Sequence, residues 1–289
     1  MKKVGFVVGE LPFVCELPEG VDVERLLPSF QPFQYMQEGE DWAFRVESTE
    51  EPLHTGEWSL LEEFCNDLGQ VRLFRNAESF LVELSYDAMG SRHWLQMDST
   101  VSVVKVRVAW EDPSATQALT SMLRIAYSQR VLHHDGFSIH ASTVVKDGKG
   151  FLFLGKSGTG KSTHSRLWKE VWKDVELLND DNPIVRRIDG RWWVYGSPWS
   201  GKTPCYKQER APLQGMVRLR QASENRWLPV QGVKAWTTVY PSCAVIYQEG
   251  SLYERLRSTL NRLVTDVTIG RMECLPNKEA AELSWKNMK

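Results

Sequence analysis

The sequence predicts an α/β (α+β) protein, with a mostly antiparallel β region over residues 1–112 and a mixed-sheet domain over residues 113–289. Three observations carry this reading. Residues 155–162 read Gly-Lys-Ser-Gly-Thr-Gly-Lys-Ser, a glycine-rich loop that follows the apolar run Phe151-Leu152-Phe153-Leu154 and precedes a helix-forming stretch from Ser162 to Lys173. Asp-Gly stands twice between apolar runs, at Asp147-Gly148 and at Asp189-Gly190, and this dipeptide is the strongest short-range signal for a two-residue hairpin. Short runs with period-two alternation, separated by turn residues, fill the first third of the chain.

Taken in order, Met1 to Glu10 reads as a first strand, because its apolar run is too short for a secretion signal and lacks a cleavage site. Val71 to Phe74, Phe80 to Leu84 and Val101 to Val108 read as further strands, and Glu57 to Asn66 as a short helix among them. No chemical motif stands out in this region. Ser114 to His134 reads as a helix with Ser114 as N-cap, a stripe of Leu119, Met122, Leu123, Ala126 and Val131, and Gly136 as its stop. His133 and His134 are neighbours on that helix and point about 100° apart, a poor pair for a metal. Phe137 to Val145 and Lys149 to Leu154 then form a hairpin across Asp147-Gly148. Val175 to Leu178 is a short strand, Ile184 to Tyr195 a second hairpin, Met216 to Arg220 a strand, and Leu252 to Val264 a helix. A strand–helix pair closes the chain around Thr268 to Trp285. Trp168, Trp172, Trp192 and Trp193 sit in apolar contexts that suit core packing.

Composition bounds the function. The 289 residues are 42% apolar and 25% charged with a formal net charge of −2, the balance of a globular protein. There is no basic excess to mark a nucleic-acid or anionic-membrane partner, and no apolar stretch of membrane-spanning length. Five scattered cysteines without a C-x-x-C pair argue for reduced thiols in a cytoplasm, against a disulfide framework or a zinc site.

The glycine-rich loop fits the pattern G-x-x-x-x-G-K-[ST]. Gly155, Lys156, Ser157, Gly158, Thr159 and Gly160 let successive backbone N–H groups face an anion, and the following helix start adds free donors. Lys161 can reach the β- and γ-phosphates of a nucleotide, the Ser162 hydroxyl can ligate Mg²⁺, and Thr163 completes the segment. If the Asp147-Gly148 turn has two residues, Lys146 pairs with Lys149, and the register carried outward sets His140 opposite Gly155. The imidazole then lies beside the phosphates; a buried structural histidine is the alternative. Asp180 and Asp181 follow the loop by one helix and one strand. One of them can hold Mg²⁺, directly or through water, while the other accepts a proton from an attacking hydroxyl. Strand register decides which does which. Gly196 to Pro204 is a loop of small residues carrying Lys202, a candidate for holding an anionic substrate or a phosphate. Arg218, Arg220 and Arg271 are further candidates to line the pocket.

Ser138-Ile139-His140-Ala141-Ser142, the Phe151 to Thr163 segment and Leu178-Asn179-Asp180-Asp181, in that order, resemble the catalytic domain of HPr kinase/phosphorylase and the related group with the phosphoenolpyruvate carboxykinase nucleotide-binding fold. The Gly196 to Lys202 stretch is similar to a loop in bacterial members of that group. The resemblance covers about residues 135 to 285. It implies a mixed-sheet P-loop kinase domain of the HPr kinase/PEP carboxykinase type, with ATP on Lys161 and the loop amides, and Mg²⁺ on Ser162 and an aspartate. His140 and the other aspartate would stand near the transferred phosphoryl group. The expected activity is ATP-dependent transfer of the γ-phosphoryl to a hydroxyl, on a serine of a protein or peptide or on a small molecule. The alternatives are a non-catalytic nucleotide-sensing module and a carboxykinase-like enzyme. The HPr kinase segment associated with protein binding and phosphorolysis has no clear counterpart, and the N-terminal region differs from that of typical HPr kinases. A homo-oligomer is open, since HPr kinases assemble as hexamers.

Overall fold

A computed structural model of the chain describes residues 1–35, 41–66, 68–87, 89–201 and 203–289. It divides into two compact units, Met1–His133 with Ile246–Tyr253, and His134–Val245 with Glu254–Lys289.

The first unit is built on an eight-stranded sheet of β1 (Lys2–Val8), β2 (Leu11–Leu17), β3 (Phe44–Ser48), β4 (Ser59–Asn66), β5 (Gly69–Arg75), β6 (Ser79–Ser85), β7 (His93–Asp98) and β8 (Val103–Arg107). Their order is β1-β2-β3-β8-β7-β6-β5-β4. The pairings of β3 with β2 and with β8 are parallel and the others antiparallel, so the sheet is mixed but mostly antiparallel. A one-turn helix α1 (Val23–Leu26) and the long helix α2 (Ala115–Arg130) complete the unit. Phe6, Phe13, Phe44 and Tyr127 pack in its core, and the buried Tyr127 hydroxyl donates to the Val8 carbonyl at 2.8 Å.

Three expectations fail here for physical reasons. Glu57 to Asn66 is not a helix: residues 59–66 form β4, an edge strand whose side chains are mostly exposed. The mixed apolar and acidic pattern of Ser59-Leu60-Leu61-Glu62-Glu63-Phe64 suits a helix locally, but pairing along β5 overrides that preference. Ser114 stands at the N-cap of α2, yet its hydroxyl does not cap the helix. It donates to the Asp112 carboxylate and meets His93 Nε2 at 2.9 Å. At the other end the left-handed residue is Asp135, with φ of 50°, while Gly136 already belongs to the next strand.

The second unit holds β9 (Gly136–Ser138), β10 (Ala141–Lys146), β11 (Lys149–Leu154), α3 (Lys161–Val171), β12 (Glu176–Asp181), β13 (Ile184–Ile188), β14 (Arg191–Tyr195), β15 (Arg210–Gln221), β16 (Arg226–Pro229), α4 (Val233–Val239), α5 (Gly250–Asp266, from Glu254 on), β17 (Thr268–Cys274) and α6 (Lys278–Met288). Its sheet runs β12-β10-β11-β15-β14-β13-β9, with β17 also on β15 and β16 on β17. The twelve residues of β15 let it serve three neighbours: its start pairs antiparallel with β14, its middle parallel with β11, and its end parallel with β17. Both Asp-Gly turns have positive φ at both central residues, 50° and 71° at Asp147-Gly148 and 49° and 79° at Asp189-Gly190, the geometry that matches the twist of paired strands. The register follows from the first turn as expected, from Lys146↔Lys149 to Ala141↔Leu154.

α3 and α6 cover one face of this sheet. Phe151, Phe153, Trp168, Val217, Met272 and Met288 interlock there, and Trp168 donates its indole N–H to Ser284 Oγ at 2.9 Å. His164 lies in the same layer, also 2.9 Å from Ser284 Oγ and edge-on to Phe153. Burial pushes its imidazole down from 6.5 to about 3. The folded state therefore keeps His164 neutral, whereas the unfolded chain protonates it as pH falls through 6.5. Its contribution to stability is present at neutral pH and is lost as pH falls from about 6.5 toward 3. Urea unfolding followed by tryptophan fluorescence is expected to show stability declining toward about 1.4 kcal/mol per pH unit from this group between pH 6.5 and 5. In His164→Gln that component should vanish; an equally steep decline in the variant would contradict the assignment.

Candidate functional site

The strand β11 delivers the chain into residues 155–160, and α3 starts at Lys161. Gly158 and Gly160 sit at φ of 78° and 102°, where a side chain would be strained. Thr159 closes the turn, donating from both its backbone N–H (3.1 Å) and its hydroxyl (2.6 Å) to the Lys156 carbonyl. Gln221, at the end of β15, ties the loop down by donating to the Gly158 carbonyl at 3.3 Å. Lys156, Ser157 and Gly158 are exposed.

The Lys161 side chain is turned inward. Its Nζ donates to the carbonyls of Gly155 (3.1 Å) and Lys156 (3.4 Å) and lies 2.8 Å from His140 Nε2. Burial lowers its pKa; the charges of Asp181 and then Asp180 oppose that, and the Arg218 guanidinium adds to it. His140 follows the last ladder pair outward, its backbone N–H given instead to the Ser242 carbonyl at 2.7 Å. Its Nδ1 stands 3.0 Å from Asp181 Oδ1. An ammonium only donates, so His140 Nε2 accepts and the ring proton sits on Nδ1, facing the carboxylate. Lys161, His140 and Asp181 thus form one directional chain.

Asp180 and Asp181 are successive residues of β12 and diverge. Asp181 meets His140, whereas Asp180 lines a cavity of about 400 Å³ together with Ser162, Ser165, Arg166 and Thr203. The two sides of the loop therefore carry different chemistry. Mg²⁺ accepts oxygen ligands and keeps several waters or phosphate oxygens, so a hydroxyl and a carboxylate in one cavity suit it. Among the described residues there is no cluster of three or more His, Cys, Asp or Glu side chains able to hold a metal by themselves.

Asn179 positions the paired acids. Fully buried, it accepts from the N–H groups of Asp181 (3.0 Å) and Asn182 (2.8 Å), and its amide donates to Ser197 Oγ and the Trp199 carbonyl, both at 3.1 Å. The Gly196–Gly201 loop is thereby held alongside β12, and the Gly201 N–H donates to the Asp180 carbonyl at 2.9 Å. A Cβ at Gly196 would stand 2.1 Å from the Lys207 carbonyl, and one at Gly201 2.7 Å from that of Asp180. Lys202 lies outside the described residues. On the other side of the loop, Arg218, Arg220 and Arg271 all line a cavity of about 710 Å³ with residues 155–159, and there Arg220 is paired with Glu273, which lines the same cavity. Asn179 lies inside the Leu178–Asp181 segment without a role of its own in the sequence reading, and Gln221, at the end of β15, lies in no motif.

These features define a mixed α/β protein in which a glycine-rich loop joins a strand to a helix. A family model described as SynChlorMet cassette protein ScmC matches residues 109–265, more than half of the chain, and the chain belongs to that family. No curated protein matches it. Among solved structures, the Hpr(Ser) kinase/phosphatase from Coxiella burnetii is similar at 10% sequence identity and a TM-score of 0.32, over 52% of this chain and 86% of that one. A TM-score of that size does not establish a common fold.

The hydrogen-bond directions make the His140 ring state a testable property. Nitrogen-15 NMR is expected to show the His140 ring proton on Nδ1, with Nε2 as the acceptor. A ring protonated on Nε2 alone would show that the chain from Lys161 to Asp181 does not form in solution.

Proposed function

We propose that the second unit is an ATP-dependent phosphotransferase that moves the γ-phosphoryl group to a hydroxyl acceptor. The observation that carries the reading is the directed chain Lys161–His140–Asp181 ending on the glycine-rich loop. In this reading the loop amides of residues 155–160, with Lys161, hold the nucleotide phosphates. Ser162 and Asp180 hold Mg²⁺, which supplies charge neutralisation at the phosphates. Thr163 continues the phosphate-binding segment into α3.

Lys161 is engaged with His140 and two carbonyls, and triphosphate oxygens are better acceptors for its ammonium. Its turn toward them frees His140 Nε2. That nitrogen then accepts the acceptor's hydroxyl proton, while Asp181 holds Nδ1–H and stabilises the imidazolium that forms. The hydroxyl oxygen bonds to the γ-phosphorus as the bridge to the β-phosphate breaks, leaving ADP and a phosphomonoester. Most of the acceleration comes from positioning and charge neutralisation. The HPr-kinase-like resemblance of the same segments supports this reading, and it leaves the acceptor's size open.

Calorimetry with ATP and Mg²⁺ tests binding, and a screen of hydroxyl acceptors tests turnover. Lys161→Ala is expected to weaken ATP binding by about tenfold or more. Asp181→Asn and His140→Gln should keep binding within about twofold and lower turnover by about 10²–10⁴-fold. Binding without turnover on any acceptor, and without slow ATP hydrolysis, would leave a nucleotide sensor. No binding at millimolar ATP would end the nucleotide reading altogether.

A further inference from the structure

Arg218 on β15 and Arg271 on β17 are directly paired residues of neighbouring parallel strands, so the sheet places two guanidinium groups side by side. One buried threonine fixes both. Arg218 Nε donates to the Thr238 carbonyl at 2.6 Å, and Arg271 Nε donates to the Thr238 hydroxyl at 2.7 Å. That hydroxyl donates in turn to the Lys234 carbonyl at 2.6 Å, so its lone pairs face Arg271. Arg218 is held a second time, by Ser242 Oγ at 2.7 Å.

The arrangement costs electrostatic energy. Burial lowers the Arg218 pKa, and the neighbouring Arg271 charge lowers it further. Nearby in the sheet cations are neutralised, since Arg220 of β15 and Arg226 of β16 both bind the Glu273 carboxylate of β17. Among the described residues Arg218 and Arg271 bond only to a carbonyl and to hydroxyls, and no carboxylate is paired with either. Both line the cavity of about 710 Å³ that reaches Gly155–Thr159, and the Arg218 charge is felt at Lys161. Two pre-oriented guanidinium forks without a carboxylate match a carboxylate or a phosphate.

We infer that Arg218 and Arg271 form a subsite for a carboxylate or phosphate group carried by the molecule whose hydroxyl is phosphorylated. This rests on the phosphotransferase reading, in which the loop amides, Lys161, Ser162 and Asp180 already serve the nucleotide and leave this pair to the acceptor. The acceptor is therefore an anionic hydroxyl compound, not a neutral one.

The test loads the full chain with AMP-PNP and Mg²⁺ and titrates it calorimetrically with malonate and, separately, inorganic phosphate. One equivalent of at least one probe should bind, and the stronger probe separates carboxylate from phosphate recognition. Arg271→Gln, at an exposed position and checked by thermal melting, should weaken that probe by about tenfold or more while AMP-PNP affinity changes by less than about twofold. Arg271→Lys, which keeps the charge but loses the fork, should recover only part of it. The inference is overturned if loaded wild-type protein binds neither probe, or if Arg271→Gln weakens AMP-PNP and spares the probe. Should AMP-PNP itself fail to bind, the phosphotransferase reading falls on its own. Malonate binding to the free protein, lost in Arg271→Gln but kept in Lys161→Ala, would then still establish the anion site.

Discussion

A buried ammonium must be solvated by the protein around it, and the site is organised by that requirement at Lys161. Its three donors find two loop carbonyls and the His140 ring. The carbonyl contacts hold the loop in a tight curl, which only glycines at positive φ permit. The ring contact makes His140 an acceptor on one nitrogen and, by exclusion, a donor on the other. That donor then needs an acceptor, and Asp181 supplies it. One cation thus links the conformation of the loop to the proton position on a ring and to the placement of a carboxylate two strands away.

The sheet of the second unit makes these contacts possible. β10 lies between β11, which leads into the loop, and β12, which carries the acids. A hairpin therefore stands where a simple βαβ unit would place a direct parallel neighbour. The consequence is that a residue from β10's outer end, His140, reaches both the loop lysine and the acid strand. On the other side of β11, β15 and β17 run parallel and bring Arg218 and Arg271 to the same height. The Trp168 layer beneath α3 and α6 anchors the helix that begins at Lys161.

Much of this was legible in the residues. Once the Asp147-Gly148 turn has two residues it sets the hairpin register, and the pairing Ala141↔Leu154 follows from it. The strand, loop and helix around residues 155–162 follow from the same kind of local rule. The β4 segment misled because an exposed edge strand has no buried face to impose alternation on its sequence. Ser114 misled because a hydroxyl beside an aspartate and a histidine has better partners than a helix N–H. Gln221 and Thr238 were silent, and Asn179 stood in a recognised segment without a role, since a polar residue that holds a loop, a carboxylate pair or two arginines has the same local signature as any other.

By itself the chain determined its turns, its glycine loop and the order of His140, Lys161 and the paired aspartates, because these depend on backbone preferences over a few residues. Only the tertiary structure decided that Asp181 turns to His140 while Asp180 shares a cavity with Ser162. It alone decided that Arg218 and Arg271 stand together while Arg220 is neutralised. Those outcomes rest on pleat alternation and strand order, and both are set by pairings between residues far apart in the chain, where short-range preferences carry no information.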